Sequence, residues 1–241
     1  MHFFIAGGSG QTGTHVINKL IQQGHTVTAL VRNPSSITPR VGVKLVQGTP
    51  SNIDDIRKAL QTPRTPDVII ITLAHVKGAV FDDRGTTFLT YVARNIAQCL
   101  EESQMMTTKI IYMSAFGVGD SFPNLNCLMR VLVRVSPLAS QFSDHKGAED
   151  TLQSIATDAD GRKAVVTIVR PTMLTNGEEA KVQSLGSRGE KASFMPSIPR
   201  ASVADFMVDA AQIDKCDGKV VVIANAKSTL VDIIPYSWYN T

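Results

Sequence analysis

Gly7, Gly10 and Gly13 stand three residues apart in "GGSGQTG", and Gly8, Gly10 and Gly13 also satisfy G-x-G-x-x-G. The stretch follows the apolar run "HFFIA" and opens a segment in which Val16, Ile17, Leu20 and Ile21 share one helical face, ended by Gly24. It therefore reads as strand, tight turn and helix. Glycines so placed let the chain turn sharply, approach a pyrophosphate and pack helix on strand, while the free N–H groups of the helix start face anionic oxygens. Beyond the second apolar run, "LVRNPSS" offers Arg32 and no acid, where a carboxylate would accept bonds from a ribose 2′-hydroxyl. A guanidinium pairs with a 2′-phosphate through two N–H donors, and Ser35 and Ser36 add hydroxyls, so NADP(H) is the predicted cofactor.

The elements that must hold these residues are short Val- and Ile-rich runs at 2–6, 25–31, 43–47, 67–73, 109–114, 164–169 and 219–224, with helical patterns between them. Ser51 with Asp54 predicts the start of one such helix. Alternating strand and helix predicts an α/β fold, a Rossmann-type doubly wound parallel sheet whose ligands bind at the carboxyl ends of the strands. The 241 residues fit a single domain. Segments 117–142 and 177–200 break the alternation after strand ends and are expected to cover a small-molecule substrate.

The net charge of +3 is scattered, so neither nucleic acid nor an anionic membrane is an expected partner. Cys99, Cys127 and Cys216 form no C-x-x-C pair, which argues against a zinc site or disulfide framework and for a reducing, cytoplasmic setting. The first strand leaves no room for a leader, and no apolar run approaches the ~18 residues of a membrane span. A monomer or homodimer is expected.

With the glycine stretch, "VRNPSS", "YMSAFG" and "VRPTMLTNG" in place, nearly the whole chain resembles the atypical short-chain dehydrogenase/reductases. Within them it is similar to the NAD(P)H-binding branch that contains flavin reductase and the nitrogen-metabolite-repression-regulator-like proteins. The resemblance implies pyrophosphate contacts at Gly7, Ser9, Gln11 and Thr12, 2′-phosphate contact at Arg32, and a ribose–nicotinamide wall at Leu73 and Ala74. It also implies an active-site serine at Ser114 and a segment from Pro171 to Leu174 passing the nicotinamide amide. For Ser114 the alternative is a strand-end hydroxyl bonded to backbone.

Two departures stand out. Thr49 occupies the place where relatives carry an adenine-contacting Asp, and none of Tyr91, Tyr112, Tyr236 or Tyr239 has Lys four residues later, so the usual Tyr-x-x-x-Lys acid pair is missing. In its place "FSDHKGAED" heads a helix. Asp144 and His145 match the Asp-His of flavin reductase-like relatives, and His145 is expected to shuttle a proton near neutral pH. The alternative has Ser143 capping the helix, Asp144 at its positive end and His145 on the surface. His75, after the fourth strand, reads as an ordinary loop residue, with reach into the pocket as the alternative, and Tyr236, Trp238 and Tyr239 as a tail that docks on the core, closes the pocket or forms a dimer contact. Three functions stay open: an NADPH-dependent reductase of a conjugated or aromatic acceptor, a non-redox isomerase, dehydratase or cyclase with structural NADP(H), and a dinucleotide-sensing regulator.

Overall fold

The computed structural model describes residues 1–82, 85–103, 108–156 and 164–226. Each apolar run becomes a strand: β1 (His2–Ala6), β2 (Thr26–Val31), β3 (Val43–Gln47), β4 (Val68–Ile71), β5 (Lys109–Met113), β6 (Val165–Pro171) and, after three short strands, β10 (Val220–Asn225). They pair in parallel in the order β3-β2-β1-β4-β5-β6-β10. Alternate residues serve opposite faces. Phe4, Ile69, Ile110 and Tyr112 join one apolar cluster, while Phe3, Ile5, Ile70 and Ile111 join the other. Burial on both faces explains why these strands read as unbroken apolar runs.

α2 (Ile53–Leu60), α3 (Phe88–Glu102) and α5 (Leu138–Ile155) cover the first cluster. α1 (Gln11–Gln22) and α6 (Arg200–Gln212) cover the second. Among the described residues no helix is long and apolar enough to cross a membrane. Order reverses between β1 and β4, the place where a doubly wound sheet opens a crevice at its carboxyl edge. The doubly wound α/β architecture is thus the expected one.

Several local expectations are corrected. Asn52, not Ser51, caps α2 by accepting from the Asp54 N–H at 2.9 Å, because the Ser51 hydroxyl pairs with Thr49 Oγ1 at 2.8 Å. Segment 117–142 is mostly helical, with a 3₁₀ turn at Gly119–Asn124, α4 (Cys127–Val135) and the first turn of α5. In segment 177–200, β8 (Val182–Ser184) joins the main sheet antiparallel to β10, and β9 (Ser197–Pro199) pairs with β7 (Met173–Thr175). The sheet therefore has an eighth, antiparallel edge strand.

An ion-pair network fastens the inserted turn to the sheet. Arg170, on β6 and 3% exposed, donates from Nε and Nη2 to the two Glu149 carboxylate oxygens at 2.9 and 2.6 Å. Its Nη1 reaches Asp120 in the 3₁₀ turn at 2.6 Å. Glu149→Ala leaves a buried guanidinium without its fork partner, and urea unfolding should show a loss of about 3–5 kcal/mol, whereas Asp120→Asn at the exposed end should cost under about 1 kcal/mol.

Candidate functional site

β1 ends in a turn that only glycine accommodates. Gly7 has φ +96°, and a Cβ there would lie 2.8 Å from the Thr72 carbonyl carbon and 2.9 Å from Leu73 N, both just past β4. A Cβ on Gly13 would overlap the Gly7 carbonyl, so α1 packs on the turn by close backbone contact. Gly10 is the N-cap of α1 and supplies no side-chain cap, which leaves the first-turn N–H groups for an outside acceptor. Ser9 and Gln11 are exposed beside it, and Thr12 is buried in the first helical turn.

From this turn a cleft of about 720 Å³ extends along the carboxyl edge of the sheet. Arg32, Thr49 and Ser51 line its β2–β3 end, and Gly7, Ser9, Gly10, Gln11, Thr12, Leu73 and Ala74 its middle. His75, Phe81, Phe88, Met113, Gln141 and Leu174 line the other end. The glycine cradle, the uncapped helix start and the length of the cleft fit a dinucleotide. Arg32 is exposed. Ser35 and Ser36 are less available than expected: their hydroxyls donate to Asn33 Oδ1 at 2.8 Å and to the Asn33 carbonyl at 2.6 Å, holding the turn after β2.

The other expected residues lie outside this lining. Gly13 packs beneath it, and the Pro171 carbonyl accepts from Phe116 N at 2.9 Å. Ser114 is buried, yet its hydroxyl has no hydrogen-bond partner among the described residues, so it bonds none of their backbone, against the alternative considered for it.

Asp144 and His145 sit in the second and third turns of α5, which starts at Leu138, so Ser143 caps nothing. Asp144 instead caps a different helix, α3, accepting from Thr87 Oγ1 at 2.6 Å and from the Leu89 and Thr90 N–H groups at 3.0 Å each. It also takes His75 Nδ1 at 2.7 Å. Burial alone would raise its pKa, but the Thr87, His75 and backbone donors prevail and hold the carboxyl below its ordinary range.

His145 is buried, not a surface residue, and its Nδ1 shares a 2.7 Å hydrogen bond with the Tyr112 hydroxyl. Burial lowers its pKa to about 4, against the pull of Asp144 and with a further push from His75. Burial and the charges of Glu149 and Asp144 drive the Tyr112 phenol well above its usual value. Near neutral pH this is an uncharged pair, which corrects the expectation of a proton shuttle at His145. His75, whose position after β4 puts the pocket within reach although the sequence favours an ordinary loop residue, is the histidine that lines the cleft. Tyr236, Trp238 and Tyr239 lie outside the described residues.

Fold and cleft together define a dinucleotide-binding protein of Rossmann type. A family model described as NAD(P)H-binding matches residues 7–214, and the chain belongs to that family. Among solved structures it is similar to ChuY, an anaerobilin reductase from Escherichia coli, at 17% identity and a TM-score of 0.73, covering 95% of this chain and 99% of that one. The oxidoreductase ylbE from Lactococcus lactis gives 19% and 0.71, covering 95% and 92%. A wide-type short-chain dehydrogenase/reductase from Veillonella parvula in complex with NADP gives 16% and 0.69, covering 94% and 95%. A search of the curated proteins returned no match.

A Cβ on Gly10 would approach only the Gly7 carbonyl, at 3.2 Å, so Gly10→Val should keep a native circular-dichroism spectrum while losing binding of the reduced nicotinamide dinucleotide by fluorescence titration. A second expectation concerns acid. Between the unfolded imidazole value of 6.5 and the folded value of about 4, the unfolded chain binds the proton that His145 refuses, so stability falls as pH drops through this window. The loss should total about 3 kcal/mol at ~1.4 kcal/mol per pKa unit. His2, lowered mainly by burial, acts in the same sense, so the measurement is the difference between wild type and His145→Gln in urea titrations from pH 7 to 4.

Proposed function

We propose that the protein is an NADPH-dependent reductase that delivers hydride to a conjugated or aromatic small molecule such as a flavin, a quinone or an enone-like metabolite. The observation that carries this reading is the end of the cleft away from Arg32. Phe81 and Phe88 line it, with ring centroids 5.3 Å apart, and Phe81 stacks at 5.6 Å on Tyr91 behind. Met113 and Leu174 complete an apolar wall, a surface suited to a flat acceptor. The bound dinucleotide would supply hydride and two electrons. A delocalised acceptor spreads the charge that arrives, so orientation against this wall carries most of the catalysis and the missing Tyr-x-x-x-Lys pair is tolerable. The reductase activity in the name of the similar Escherichia coli protein accords with this assignment.

Preference for NADPH rests on Arg32, exposed at the β2–β3 end of the cleft. Charge-assisted bonds to a 2′-phosphate contribute ~1.5–3 kcal/mol, so Arg32→Ala should weaken NADPH about 10- to 150-fold and scarcely change NADH. Equal losses for both cofactors would remove the assignment. With deuterium at the reactive nicotinamide carbon, NADPH oxidation should slow by a primary isotope effect, and an enone product should keep the label on carbon; product formed without NADPH consumption would replace the reductase by a non-redox enzyme.

A further inference from the structure

We infer that His75, oriented by Asp144, is the proton donor at the acceptor end of the cleft, an inference that rests on the reductase reading and adds a residue to it. His75 lines the same end as Phe81, Met113 and Leu174. Its side chain is 8% exposed, yet only one edge of the ring is engaged: Nδ1 meets Asp144 Oδ2 at 2.7 Å, and Nε2 has no partner among the described residues. Buried polar atoms are nearly always paired, and an orphan of this kind beside a cleft is explained by a group that arrives with the ligand.

Asp144 makes the arrangement directional. Its carboxylate is fixed by the Thr87 hydroxyl and two N–H groups at the start of α3, so it does not follow the imidazole but holds it. A carboxylate only accepts, which places a hydrogen on Nδ1 in both charge states of the ring and leaves Nε2 as the atom that gains and loses the proton. The titratable groups set against His75 are Asp144, in direct contact, and His145, whose proximity is felt electrostatically, both on α5; α3 adds the positive end of its backbone. Beyond His75, Asp82 accepts from Thr86 N and Oγ1 at 3.0 and 2.7 Å, and Arg94 bridges Asp82 and Thr86.

Two neighbouring ionisable side chains on α5 are otherwise engaged. His145 is uncharged near neutral pH and shares its bond with Tyr112, and Lys146 pairs with Asp150. In the proposed step hydride from the dihydronicotinamide bonds to the electrophilic atom of the acceptor, a carbon in an enone, a ring nitrogen in a flavin or an oxygen in a quinone. The conjugated π bond breaks towards the oxygen or nitrogen at its far end. That atom takes the Nε2 proton, leaving neutral imidazole with its Nδ1–H still on Asp144. A solvent proton then restores the ring. NADPH, one proton and the acceptor thus give NADP⁺ and the reduced acceptor.

The test uses the full chain with ¹⁵N-labelled histidine and menadione as the quinone probe. In wild type, His75 should show hydrogen on Nδ1, and Nε2 should shift when menadione joins the NADP⁺ complex; His145 should not. Asp144→Asn, still able to accept from Nδ1, should lose the fixed tautomer. For NADPH oxidation by menadione, His75→Gln should lower kcat about 10²- to 10⁴-fold and abolish the loss of rate with rising pH, whereas Asp144→Asn should lower kcat more than it raises KM. Native circular dichroism and unchanged NADPH affinity in both variants separate these effects from misfolding. An Nε2 signal indifferent to menadione, or an unchanged pH profile in His75→Gln, overturns the inference while leaving the reductase intact. Absence of NADPH oxidation overturns the reductase while the tautomer and Nε2 shift still report on His75.

Discussion

The close contact of α1 with the turn after β1 is the constraint on which the functional edge of this protein depends. No Cβ fits on Gly13 without entering the Gly7 carbonyl, and none fits on Gly7 without entering the backbone after β4. Because both are glycine, the start of α1 can lie against the gap between β1 and β4, and the Thr72 hydroxyl secures the turn by donating to the Gly7 carbonyl at 3.2 Å. Val16, Ile17 and Leu20 then bury the helix on the sheet. The uncapped N–H groups of α1 are thereby fixed at the place where the strand order reverses, and the cleft follows from that placement.

A second junction forms at the other end of the cleft around α5. Asp144, Ala148, Glu149 and Leu152 are all buried, so this helix turns two carboxylates as well as apolar side chains towards the interior. Each carboxylate is matched: Asp144 by the start of α3 and by His75, Glu149 by the guanidinium of Arg170. Unmatched, either would impose a large desolvation cost; matched, they fix the position of α5 against α3 and β6. The same charges account for the high pKa of Tyr112 behind them, to which burial contributes most.

The polar face of α5 also explains which part of the chain was hardest to read. Its inward side mixes Asp144, His145 and Glu149 with Ala148 and Leu152, so hydropathy shows no clear stripe, and the helix begins at Leu138, four residues before the Phe142 that the sequence predicts. Asp144 was recognised as a helix-terminus carboxylate, but the terminus it serves belongs to α3, 55 residues away from it at Leu89. At α2 the neighbouring Asn52 took the capping role because Ser51 was drawn to Thr49.

What the sequence alone determined was whatever depends on neighbours along the chain. Seven apolar runs specify seven parallel strands because burial on both faces demands continuous apolar side chains, and Gly7 and Gly13 specify the turn because a side chain on either would enter neighbouring backbone. The tertiary structure alone decided where polar side chains found their partners. His75 and Asp144 are 69 residues apart, Tyr112 and His145 are 33 apart, and no local pattern encodes either pair. A buried polar group must be satisfied by whichever donor or acceptor the packing of distant elements brings within reach, so its role becomes legible only once those elements are in place.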